Sequence, residues 1–170
     1  GASAQAKALL ESLQASATYA AQYGSVKQGS AGDIQQVQQN YNTLFNCWQS
    51  VASSTALSAG QQAQGASGAS SANAQILQLQ AQVDTLNSDI TRTNASIASI
   101  QNLQSQVLFA ATPEDVAAAG YAVQAASATL INQTDVTTAQ QNRAALQTQL
   151  TATNSTAQTG LNQCRAMLGQ

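Results

Sequence analysis

"ILQLQAQVDTLNSDITRTNASIASIQNLQSQVLFAATPED", Ile76 to Asp115, decides how the rest of the chain is read. Ile76, Leu79, Val83, Leu86, Ile90, Thr93, Ile97, Ile100, Gln104 and Val107 recur at alternating steps of three and four residues, the spacing of a coiled-coil seam. Thr93 and Gln104 are polar and are expected to face partner helices. At about 1.5 Å per residue the run extends roughly 45 to 50 Å, which suits a rod and not a globule. Thr112-Pro113-Glu114-Asp115 then supplies a capping hydroxyl, a proline at the first helical position and two acids at the positive end of the helix dipole. The residue before proline is pushed out of helical geometry, so the seam helix stops and a new helix returns antiparallel. This corner holds the only proline in the chain.

Upstream, Ala6, Leu9, Leu13, Ala17 and Ala20 form a narrow apolar stripe, predicting a helix from about Ser3 to Tyr23 with Gly24 as its stop. "GSVKQGSAG", 24–32, reads as a loop. Asp33 is placed to cap a second helix with seam positions Ile34, Val37, Tyr41, Leu44, Trp48 and Val51. Trp48 and Phe45 are read as core anchors. "SAGQQAQGASGASSA", 58–72, has no bulky apolar residue and no charge, and reads as a mobile linker or a frayed helical continuation. The returning helix carries Val116, Val123, Leu130, Leu146, Leu150, Leu161 and Leu168, with a bend or slack packing expected over Asn132 to Thr138.

Composition narrows the function. Hydrophobic residues make up 44% of the 170, but many are alanine, which lets helices lie close together without a bulky core. Charged residues are only 7%, where about a quarter is usual, and Gln, Ser, Thr and Asn carry solubility instead. Five scattered cations and a net charge of −2 argue against nucleic acid as a partner. No run reaches the roughly 20 apolar residues of a membrane span. The expected fold is all-α, an elongated antiparallel bundle of about three long helices in a single domain, with 24–68 as an appendage and flexible linker.

Cys47 and Cys164 are the only cysteines, and there is no histidine to activate a thiolate or complete a metal site. A disulfide between them is the favoured reading, two free buried thiols in a cytosolic protein the alternative. Cys47 lies beside the seam of its helix, where it can face a neighbour. A Ser-His-acid triad is excluded without histidine, and no glycine-rich phosphate loop occurs. Adjacent Glu114 and Asp115 are read as capping charges and not as an acid–base pair, because sequence neighbours on a helix point in different directions. No enzyme, cofactor or metal is expected.

Ile97 to Leu150, with its long helix, the Ala111-Thr112-Pro113-Glu114-Asp115 corner, an alanine-rich helix and a Gln- and Leu-rich tail from Gln140 to Leu150, resembles the TraC-like minor pilins of type IV secretion systems. The N-terminal third lies outside the resemblance. It implies a three-helix bundle with a smaller helical appendage, exported to the periplasm and placed at the tip of a conjugative pilus as a homo-oligomer of adhesive subunits. The implied partners are the major pilin, the inner-membrane channel component and a target-cell receptor, with roles in pilus assembly and cell contact. A structural coiled coil of a fibre, phage tail or surface layer is the alternative function.

Overall fold

The computed structural model describes residues 2–170. Four helices follow in order: α1 (Ala2–Ser53), α2 (Ala59–Leu108), α3 (Pro113–Ala126) and α4 (Gln133–Met167), and among the described residues there is no strand. The chain divides into two compact units, Gly1–Gln28 with Asn87–Arg143, and Gly29–Leu86 with Ala144–Gln170.

In the first unit the core joins Leu13, Ala20 and Tyr23 of α1 to Ile100, Leu103 and Val107 of α2, to Ala119 of α3 and to Leu130, Ile131, Val136 and Ala139. In the second, Ile34, Val37, Tyr41, Leu44, Trp48 and Val51 of α1 meet Ala69, Ala72, Leu79 and Val83 of α2 and Leu150, Ala157, Leu161 and Cys164 of α4. The seam spacing on α1 thus identifies its buried face. Thr93 is buried; its hydroxyl donates to the Asp89 carbonyl one turn back at 3.0 Å, so a polar residue sits in the seam without losing a hydrogen bond. Gln104 is half-buried, and its neighbour Leu103 takes the core position.

Helix directions follow from the pairings inside each unit. Gly24 faces Thr93 and Lys27 pairs with Asp89 in the first; Trp48 faces Gly68 and Gln38 bonds the Ile76 carbonyl in the second. As the position on α1 rises that on α2 falls, so α1 and α2 are antiparallel in both units. By contrast Asp33 with Gln147, Tyr41 with Thr153 and Cys47 with Cys164 rise together, so α4 runs parallel to α1 in the second unit.

Three sequence expectations are corrected. The loop expected at 24–32 is helical and belongs to α1, with Ser30 and Ala31 buried. Of the two readings of 58–72, the helical continuation and not the mobile linker holds from Ala59, so only 54–58 is a turn and 24–68, expected as an appendage and flexible linker, consists of the end of α1, that turn and the start of α2. Packing has overridden the poor intrinsic helix propensity of Gly and Ser. The returning limb is two helices: the break falls at 127–132, overlapping the expected bend only at Asn132, and 133–138 opens α4.

The glycines explain the second correction. A Cβ at Gly68 would lie 2.6 Å from Trp48 Cδ2, and one at Gly65 2.5 Å from the Ala52 nitrogen. These residues are where α2 packs directly on α1. A Cβ at Gly24 would meet the Thr93 methyl at 2.8 Å, while one at Gly32 would meet nothing within 4 Å. Gly32→Ala is therefore expected to raise stability by up to about 1 kcal/mol through helix propensity. Gly65→Ala and Gly68→Ala should lower it by about 1 to 3 kcal/mol through overpacking, read as melting temperatures of the three variants.

Candidate functional site

The corner between α2 and α3 is built from the backbone outward. Phe109 N–H donates to the Ser105 carbonyl at 3.0 Å and Ala110 N–H to that of Val107 at 3.3 Å, ending α2 in a tightened turn. Thr112 is extended, with φ −125° and ψ 159°, and its hydroxyl accepts from Asp115 N–H at 3.1 Å; Pro113 opens α3, with Glu114 and Asp115 in its first turn. The two carboxylates are exposed.

This geometry turns apolar side chains outward. Phe109 is 84% exposed and Leu108 66%, and Tyr121 on α3 is 74% exposed. Beside Phe109 lies a hollow of about 270 Å³ lined by Gln106, Ala110, Asp115, Ala118 and Ala119. The alanine walls leave the space that larger side chains would fill. Sequence reading found the corner but not its exposed face, because Leu108 and Phe109 directly follow the seam residue Val107 and look like its continuation.

Two helix starts were also legible but missed. Ser58 and Gln61 form a reciprocal capping box at α2, with Ser58 N–H donating to Gln61 Oε1 at 2.9 Å and Gln61 N–H to the Ser58 hydroxyl at 3.2 Å. Asn132 and Asp135 do the same at α4, at 3.1 and 2.9 Å. The three-residue offset of Ser58 and Gln61, inside a segment dominated by Gly and Ser, was the signal.

In the second unit Cys47 and Cys164 are joined by a disulfide, with Cα atoms 6.2 Å apart and a sequence separation of 117. It ties α1 to α4. The same two helices share polar contacts: the Tyr41 hydroxyl donates to the Thr153 carbonyl at 3.0 Å, Asn40 Nδ2 to Asn154 Oδ1, and Gln147 Nε2 to Asp33 Oδ2 at 3.2 Å. Burial pushes the Tyr41 phenol above its usual range. A neighbouring groove of about 500 Å³ has Tyr41, Leu44 and Trp48 at its floor, with Gly68 and Gln75 on one wall and Thr159, Gly160 and Gln163 on the other. No charged side chain lines it.

In the first unit the charges are used internally. Lys27 Nζ lies 2.9 Å from Asp89 Oδ2, Arg92 lies 3.8 Å from Asp135, and both cations stand over the Tyr23 ring, at 5.3 and 5.9 Å from its centroid. Among the described residues no group of three or more His, Cys, Asp or Glu side chains converges on a metal position, and no helix is long and apolar enough to cross a membrane. No protein-family model, curated protein or solved structure matches the chain.

Two outcomes follow for the α1–α4 contact. Replacing both cysteines with alanine should cost about 4 to 5 kcal/mol, the entropy released by opening so long a loop, measured by denaturant unfolding against the oxidised chain. Tyr41 is neutral in both states below its unfolded pKa; above about pH 10 the unfolded chain ionises first, so stability is lost as pH rises. The melting-temperature advantage of wild type over Tyr41→Phe should therefore shrink between about pH 8 and pH 11.

Proposed function

We propose that the chain is a non-enzymatic minor pilin, an adhesin-like component of a type IV secretion pilus that acts in pilus assembly and target-cell contact. The observation that carries this reading is the corner at 108–121. The segment whose pattern resembles the TraC-like family also holds the most exposed aromatic side chain in the described structure, Phe109. A chain with so few aromatics gains nothing in its own stability by leaving one in water, whereas exposed apolar groups of this kind serve contacts with other molecules.

The rest of the molecule supports the reading. The disulfide suits an exported protein in the periplasm or on an extracellular pilus, where thiols are oxidised. The sparse charge and the neutral groove favour function through contacts over chemistry at a reactive centre. The major pilin and the inner-membrane channel component are the proposed partners in assembly, with a receptor on the target cell and further copies of this chain at the tip.

Shearing pili from cells that express the chain, followed by non-reducing mass spectrometry of the pilus fraction, tests this reading. The chain is expected in that fraction with Cys47 and Cys164 joined, and its deletion should abolish pili and contact-dependent transfer. Absence from the pili, with transfer intact after deletion, would end the proposal. Light scattering of fibres from the purified chain alone would favour the fibre-forming coiled coil instead.

A further inference from the structure

We infer that the Phe109 corner is a docking surface for a protein partner that presents an apolar side chain flanked by lysine or arginine. This inference concerns the chemistry of the partner and stands on the corner's own geometry, whichever assembly the chain belongs to.

The apolar half of the argument is exposure. Leu108 and Phe109 project from the last turn of α2 and the turn after it, and Phe109 itself lines the hollow. The hollow of about 270 Å³ accepts one medium-sized aliphatic or aromatic side chain. An anchor residue seated in a small pocket and ringed by apolar contacts is how a few residues come to carry most of an interface's energy.

The charge half selects the occupant. From residue 93 to residue 134 the only charged side chains are Glu114 and Asp115, both exposed, and Asp115 lines the hollow itself. The α1 segment of this unit adds Lys7 and Glu11 at its start, one of each sign. The dipole of α3 contributes only about half a positive charge at its N-terminus, too little to cancel two carboxylates. A second copy docked through the same face would bring Glu114 and Asp115 against their own counterparts, because a two-fold interface places each patch against itself. Like charges set opposite one another are what interfaces avoid, and opposite charges steer and register a partner. A surface of anionic lipid is disfavoured for the same reason, which leaves a basic and apolar protein surface as the match.

The test uses the intact disulfide-bonded chain and two synthetic amphipathic helices of equal length, one of leucine and lysine, the other of leucine and glutamate. Binding is followed by fluorescence anisotropy of the labelled peptide, and the site by amide shifts of Ala118 and Ala119. The lysine helix is expected to bind and the glutamate helix to bind at least about tenfold more weakly. Phe109→Ser should weaken binding of the lysine helix by about tenfold or more. Glu114→Gln with Asp115→Asn should weaken it several-fold at about 0.05 M salt and hardly at all at about 0.5 M. Leu77→Ser removes an exposed leucine of the other unit and should leave binding unchanged. Circular dichroism of each variant establishes that the helices remain. Equal binding of both peptides, equal loss with Leu77→Ser, no binding at all, or self-association of the chain through Phe109 would overturn the inference. These results are independent of whether the chain is found in sheared pili, so failure here and failure of the minor-pilin reading are separate outcomes.

Discussion

The contact between Trp48 and the glycine face of α2 is the constraint on which the second unit depends. Gly65 and Gly68 have no side chains, so α1 and α2 approach until the indole and the α1 backbone occupy the space that a methyl group would take. That approach sets the antiparallel register, and the register brings Ala69, Ala72, Leu79 and Val83 onto the seam of α1. A core built from so much alanine gains less from burial per residue than one built from leucine. Close approach offsets this by increasing the number of atoms in contact.

The first unit uses the same device with different residues. Gly24 admits the methyl of Thr93, and the Thr93 hydroxyl is satisfied within its own helix. Beside this contact Lys27, Asp89, Arg92 and Asp135 pair around Tyr23, spending on structure several of the few charges the chain has. The carboxylates of Glu114 and Asp115 stand apart from those pairs, at a helix start next to exposed apolar side chains. Their position, and not their number, gives the corner its interest as a contact surface.

Much of the helical order is legible along the chain because it is encoded locally. The three-four spacing from Ile34 to Val51 and from Ile76 to Val107, and the Thr112-Pro113 start, each rest on residues within one or two turns of one another. The same is true of the capping boxes at Ser58 and Asn132, which a closer reading of three-residue offsets would have found. The apparent loop at 24–32 was misleading for a different reason: glycine and serine favour a loop in isolation, and only partners on α2 and in the core reward a helix there.

The sequence by itself determined an all-helical chain with sparse charge and two cysteines far apart, since periodicity and composition are properties of the chain alone. Tertiary structure alone decided that α1 runs without interruption through its glycines, that α4 runs parallel to α1 in the second unit, and that Phe109 faces water. Each of these depends on which surfaces meet across dozens of residues, and a side chain's spacing along one helix carries no information about the atom waiting on another.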